Sequence, residues 1–474
     1  MKHTVSRRFL PVAAMLASLA LSAVVVARPV GAQAARPHSN VTLTMWTWKV
    51  FHKAGWDAVA AAFKARTGIT VNVQAFSPDA LYKTKVASAA QAHQLPDVIS
   101  YWSTSQWSLA ADKYLVDLTG KVDPSVYAPG TYDATSIVTA QDKKSWAADP
   151  TSKNLTALPV GHTYTVPALA GSPNFMFFNK SMMRQAGLNP DKAPATFEGL
   201  IADLQKMRGA GLPGFAAGVK NHDVPLFWIL NPAYVQAVGR QAYEDQMNGL
   251  QPLNNPKWVH MLDLFKQFRT YQLWVPGVAN IDIDPADVTF AQGRSSLDVG
   301  GTYTYAALIG LGVKASNILI FNVPGPKGSV EGFRNGLFSL IEEGITRDST
   351  HQAEALQWLK FSTGPEGAAI FAKTANDLPA AKLPAQASVV GPAIARLEGF
   401  FSARGTFTGI VHQFPLGPNT NPAYTLVEDQ IQQLISGQGA STGDMASALQ
   451  KEIDSVIAQT YHGGKPARVI VPAL

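Results

Sequence analysis

Residues 164–188 read YTVPALAGSPNFMFFNKSMMRQAGL, from Tyr164 to Leu188. Pro167, Gly171 and Pro173 deny the first part of this stretch a regular helix or a central-strand ladder. Phe175 to Phe178 is an apolar run of the kind a buried strand shows. Asn179 is suited to cap a helix that Gly187 ends. The order is therefore extended crossing, buried strand and amphipathic helix, as expected where a chain leaves one lobe and enters a second.

Length agrees with that reading, because 474 residues exceed what one ordinary core holds. A composition 46% hydrophobic and 15% charged is globular and excludes disordered and collagen-like classes. Residues 1–34 read as a secretion signal, with Lys2, Arg7 and Arg8 as a basic start, an apolar stretch from Phe9 to Ala27, and Ala32-Gln33-Ala34 before the cut. Ser6-Arg7-Arg8-Phe9-Leu10 partly matches a twin-arginine signal, so that route and Sec export both stand, and an uncleaved membrane anchor is the alternative. The signal carries four basic residues and no acid. Removing them from the 39 leaves 35 basic residues against 33 acidic ones, a net charge of +2 in place of +6. Nucleic acid and anionic membrane are thus not expected as partners. With no cysteine, disulfides, thiolate metal sites and thiol catalysis are excluded.

After a polar linker at 35–40, Val41 to Trp46 alternates as a strand. A helix with Trp56, Val59, Ala60 and Phe63 on one face follows, then a strand from Ile69 to Val73, completing a βαβ unit. The pattern repeats through Tyr82, Val86 and Ala90 to a strand at Val98–Tyr101. Ligands of open α/β sheets sit beyond the carboxyl ends of strands, which places Trp46, Trp48 and Lys49 at one rim with Trp102. Beyond the crossing, Thr196 is placed to cap a helix, apolar helical patterns cover 227–238 and 256–271, and Leu297–Gly300 reads as a buried strand leading to Tyr303. Pro- and Gly-rich segments at 322–335 and 377–384 suit a second and a third crossing, and the tail is helical.

Several separated blocks, in order, resemble the family 1 extracellular solute-binding proteins, the substrate-capturing subunits of ABC importers for sugars. They are F-x-x-x-T-G-I-x-V at Phe63–Val71, L-P-D-V at Leu95–Val98, Phe178-Asn179-Lys180 with Ala186-Gly187-Leu188, P-x-T-F at Pro194–Phe197, G-x-Y at Gly301–Tyr303, A-L-x-W-L-K-F at Ala355–Phe361, and L-P-A at Leu378–Ala380. Departures are Gly301-Thr302-Tyr303 where Gly-x-Trp is common, and Phe178-Asn179 where Tyr-Asn is common. The resemblance implies an α/β, two-lobed, type II periplasmic-binding-protein-like fold, each lobe a mostly parallel sheet flanked by helices, with three interlobe crossings. Lobe one would comprise 41–166 with 336–378, lobe two 171–332 with 384–474, and the hinges would lie near 167–170, 333–335 and 379–383. It also implies a carbohydrate ligand, a membrane permease as partner, a monomer, and a secreted protein at the cell surface or in the periplasm. The lipid-bearing cysteine that many such proteins use is absent.

A sugar presents hydroxyls at its edge and C–H groups on its faces, so its site needs rings to stack on beside short polar groups. The candidates are Trp46, Trp48, Trp102, Trp228, Tyr303 and Phe401, with Arg334 as a donor from the second crossing. Trp102 and Tyr303 lead, since each directly follows a buried strand. A lone aromatic is more often core than platform, and Trp46 suits a structural role. No G-x-S-x-G, H-E-x-x-H or phosphate loop occurs, and the histidines have no metal-ligand spacing. His162 suits a hydrogen-bonded hinge residue better than a base. No catalysis, cofactor or metal is expected. The alternatives are a secreted glycan hydrolase, for which Asp282/Asp284 and Glu342/Glu343 are the acid pairs, and the same fold binding a polyamine or other non-sugar solute.

Overall fold

In the computed structural model the described residues are 40–148, 150–222, 224–333, 335–383, 391–392, 395, 397, 399–401 and 422–460. The signal segment 1–34, nearly all of the linker, and Arg334 lie outside them.

Alternating apolar residues lay down the first sheet. Strand β1, Thr42–Thr47, buries Leu43, Met45 and Thr47 on one face, and pairs in parallel with β2, Thr70–Ala75, and β3, Val98–Trp102. The helix Lys53–Thr67 joins β1 to β2, burying Trp56, Val59, Ala60 and Phe63, and stops at Gly68 in the left-handed region (φ 78°). The helix Asp79–Gln91 joins β2 to β3. Two later strands complete the order β2-β1-β3-β8-β4, where β4 is Val166–Gly171 and β8 is Phe338–Ile345.

The second sheet, β6-β5-β7, consists of β6, Leu297–Gly300, β5, Phe175–Asn179, and β7, Ile318–Asn322. Asn179 accepts from the Ser181 and Met182 N–H groups and starts the helix Lys180–Gln185; Thr196 caps Phe197–Gly209 in the same way through Gly199. Successive β5 side chains enter different cores. Met176 and Phe178 join the large cluster with Phe197, Leu200, Trp258 and Phe265, while Phe175 and Phe177 join a smaller one with Tyr305 and Ile320. The first sheet has its own core, built from Leu43, Met45, Trp56, Val98, Ile99 and Trp358 among others.

The expectation of mostly parallel sheets needs correction. Only the β1 pairings are parallel; β8 runs antiparallel to β3 and β4, and β5 runs antiparallel to both β6 and β7. The reason lies in how the chain reaches these strands. β1, β3, β6 and β7 finish at the edge where the sheets meet, whereas β5 and β8 start there, directly after the chain has passed between them.

Only Ser172–Asn174 separate β4 from β5. Residues 167–170 therefore run inside β4, and Leu378–Ala380 lie along its free edge, with Ala170 N–H donating to the Leu378 carbonyl (2.9 Å) and Ala380 N–H to that of Ala168 (3.0 Å). Gly171 holds φ 155°, and a β-carbon there would collide with the Thr302 side chain of the other sheet. Gly171→Ala should lower unfolding free energy by roughly 1–3 kcal/mol. Gly209→Ala, at a helix end with open space around it, should be near neutral. Urea unfolding of both variants checks this; equal midpoints would show that the crossing tolerates a side chain.

Candidate functional site

The aromatic candidates fall into two groups, one on each sheet. After β1, Trp48 is 2% exposed and stacks on half-buried Trp102, which closes β3, with ring centroids 3.9 Å apart at 29°. Tyr82 backs this pair, 5.5 Å from Trp48 and 5.8 Å from Trp102. The Tyr82 hydroxyl lies 2.6 Å from the Ser100 carbonyl and 3.1 Å from that of Trp46. Burial, with Tyr101 and Glu343 nearby, pushes its phenol far above the ordinary range. Lys83 sets its ammonium 4.9 Å over the Trp102 ring. Trp46 stands apart from the stack: it meets Phe76 edge-on at 5.4 Å and carries Lys85 over its face at 4.2 Å.

On the second sheet, Tyr303 sits in the first turn of the helix Thr302–Gly310, one glycine beyond β6. Trp228 tilts against it at 5.7 Å and 56°. Trp228 lies in Val224–Leu230, a π-helical turn ahead of the helix Asn231–Val238, a rare geometry frequent at functional sites. The Asn174 amide donates to the Phe227 carbonyl (2.9 Å) and so ties this turn to the crossing. Trp48 with Trp102 and Trp228 with Tyr303 are thus brought together as pairs. Phe401 instead packs edge-on against Phe175 at 5.8 Å.

Lys49 joins the two groups. It is 9% exposed, 4.0 Å from the Asp79 carboxylate, 3.7 Å from that of Asp284, and 5.1 Å over the Tyr303 ring. Burial pulls its pKa down, but Asp79, Asp284, Asp287 and Asp282 outweigh this and hold it above the ordinary lysine value. Beneath lies a buried carboxyl pair. Burial pushes Asp298 up to about 7 against the Val299 N–H and Asp287, while burial, Asp298 and Asp284 push Asp287 well above its usual range. Burial thus pushes both carboxyls toward their protonated forms.

Sequence reasoning placed Lys49 at the rim, named Asp284 only as half of an acid pair and Tyr82 only as a helix-face residue, and missed Asp79. The carboxylates' signal is positional: Asp79 follows Pro78 at one helix start, and Asp284 falls in the first turn of Ile283–Ala291, which Asp282 caps. The other acid pair, Glu342 and Glu343, does not converge. Glu342 and Glu343 are buried on opposite faces of β8, Glu342 accepting from Thr135, Ser136 and Thr165, and Glu343 facing Ser100 and Ser362 with its pKa raised by burial to about 8. His162 is paired with Asp117 at 2.6 Å, and a buried pair, His52–Asp377 at 2.9 Å, stands where the chain leaves the helix Pro365–Ala375. Among the described residues no group of three or more His, Cys, Asp or Glu is placed to hold a metal, and no helix is long and apolar enough to cross a membrane.

The chain belongs to the bacterial extracellular solute-binding proteins, whose family model matches residues 58–394. It is similar to an uncharacterized ABC transporter extracellular-binding protein of Pyrococcus horikoshii, 24% identical over 202 residues, 42% of this chain and 43% of that one. The chain spans less than half the length of the curated relatives it matches. A solved structure described for xylan utilization by Caldanaerobius polysaccharolyticus matches with TM-score 0.69 at 18% identity, covering 87% of this chain and 100% of that one. The maltose/maltodextrin-binding domain MalE of Bdellovibrio bacteriovorus, solved with maltotriose, matches with TM-score 0.62 at 15% identity, covering 88% and 99%. These likenesses show the fold: two-lobed, α/β, of the type II periplasmic-binding class.

The Asp287–Asp298 pair sets a pH dependence. A carboxyl whose folded pKa is raised adds stability that is fully present below its unfolded value near 4 and is lost as pH rises through about 7. Asp298→Asn removes this titration, so between pH 4 and 8 its unfolding free energy should fall less than that of the parent, by up to about 4 kcal/mol. Glu343 titrates in both proteins and cancels. Urea unfolding across pH measures the difference; parallel curves would mean that the pair does not share a proton.

Proposed function

We propose that this chain is the extracellular solute-binding subunit of an ABC importer, which captures a carbohydrate between its lobes and delivers it to a membrane permease. It acts as a secreted monomer, at the cell surface or in the periplasm, without catalysis or cofactor. The observation that carries the reading is a pair of aromatic contacts, Trp48–Trp102 on the first sheet and Trp228–Tyr303 beside the second, bridged by Lys49, whose ammonium lies 5.1 Å over the Tyr303 ring. Trp102 and Tyr303, half-buried, offer ring faces to a pyranose, while Trp48 supports Trp102 from behind. Trp46, bound up with Phe76 and Lys85, is a structural residue. Arg334 is the expected donor from the second crossing.

The lobes of this reading are 41–166 with 336–378 and 171–332 with 384–474. Since 167–170 run within β4, bending of the first crossing falls on Ser172–Asn174, beside the second crossing at 333–335, with the third near 379–383. A neighbour solved with maltotriose supports a sugar as ligand. The aspartates around Lys49 favour a second reading, the same fold receiving a cationic solute.

Thermal unfolding of the mature protein with mono- and oligosaccharides and polyamines, with product analysis of each sample, tests the proposal. A ligand at 100 times its Kd adds about 2.7 kcal/mol, which is expected as a shift of several degrees with one sugar class and no breakdown. Products would replace the proposal by a hydrolase, and a shift with amines alone by the second reading. Trp102→Ala and Tyr303→Ala should each weaken binding roughly tenfold or more by calorimetry, whereas Trp46→Ala should not.

A further inference from the structure

Lys49 occupies an unusual position for a lysine. Its side chain reaches from the end of β1 into the space between the sheets, where it is 9% exposed. Three groups surround its ammonium: Asp79 of its own side at 4.0 Å, Asp284 of the other at 3.7 Å, and the face of Tyr303, also of the other side, at 5.1 Å. Among the described residues none accepts a hydrogen bond from it. Two carboxylates and a ring face around one cation are the elements of ammonium recognition. They come from both sheets, so the cation is what lets them approach. Without it, Asp79 would face Asp284 and Asp282 with only like charge between them.

We propose that the centre of the cleft is an ammonium site that the chain fills with its own Lys49, and that this occupancy draws the two lobes together before any solute arrives. The inference rests on the two-lobed closure proposed above. Ser77, whose hydroxyl lies 3.4 Å from Asp284, adds a second contact along the same line. A solute therefore enters by loosening a contact already made rather than by closing an empty gap, and primary amines compete directly for the lysine's place. Neutral sugars dock first on Trp102 and reach the Tyr303 face as the lysine contact loosens.

The absence of cysteine makes the test direct. Spin labels on Leu81→Cys, exposed near Asp79, and Lys220→Cys, whose N–H donates to the Ile281 carbonyl beside Asp282, report the interlobe distance. In the solute-free protein the distribution should be short. Lys49→Ala should shift it to longer distances, and propylammonium should return it toward the parent value while propanol does not. Asp284→Asn, from the opposite lobe, should lengthen it without rescue, and Lys49→Arg should keep it short. A Lys49→Ala distribution like the parent's overturns the proposal, as does equal action of propylammonium and propanol. If a sugar that raises the unfolding temperature changes the distance while Lys49→Ala does not, the hinge reading stands and the lysine contact falls. A distance that responds to nothing removes both.

Discussion

The fold depends on a small buried clasp between two passing segments of chain. Asn335, fully buried, accepts from the Ser172 hydroxyl and donates to the Asn322 side chain at 2.8 Å and toward the Asn174 carbonyl at 3.5 Å. Neither segment has a strand ladder there, so its polar groups need partners, and each segment supplies them for the other. The clasp fixes the start of β5 next to the start of β8. From this follow the antiparallel insertion of both strands and the meeting of two sets of carboxyl strand ends at one edge. In the proposed function, the solute site at that edge is therefore set by topology before any particular side chain is chosen.

Charge is handled differently in the two sheets. In the first, Glu342 is enclosed by three hydroxyls that donate to it, so burial raises its pKa while the hydrogen bonds pull it back. In the second, Asp287 and Asp298 lack such a shell: one oxygen of each has no partner among the described residues, and burial pushes both carboxyls toward their protonated forms. The cation that acts on Asp287 is Lys49, which comes from the opposite sheet. The electrostatic balance around the second sheet thus depends on a residue of the first, which in the proposed two-lobed closure makes closure and charge one variable.

Much of this was legible in the sequence where the signal is local. Asn179 and Thr196 cap the helices expected of them, because capping needs only a side chain and the next turn. Trp102 and Tyr303 were legible as strand-end residues. Strand direction was legible only in the βαβ units, where the connecting helix makes β1, β2 and β3 parallel; for the later strands alternation specifies which face is buried and carries no information about which way the neighbour runs. Nor could Trp48 be told from Trp102: both end strands, yet one turns into the core as support and the other stays half-exposed. The lysine–aspartate contact was out of reach for a stronger reason. Asp79 and Asp284 stand in separate helices on different sheets, and only the fold brings them to one cation.

The two aromatic pairs differ in rigidity, and this bears on how a ring-stacking solute would be held. Trp102 is fixed from behind by Trp48 and Tyr82, the latter anchored through its hydroxyl, so its ordering entropy is already lost before binding. The group on its outer face, Lys83, is exposed, and an exposed cation–π contact contributes only about 0.5–1 kcal/mol. A sugar face covering that ring buries more apolar surface than the lysine does, so exchange on this side is favourable with little rearrangement. Tyr303 has no such backing. Its partner Trp228 stands on a π-helical turn tied to the crossing by Asn174, and its face carries the buried Lys49 rather than a solvated lysine. Exchange there must break the contact that spans the lobes. The first lobe thus supplies a ready platform and the second a guarded one, so in the proposed function solute capture begins on Trp102 and selectivity is exercised at Tyr303.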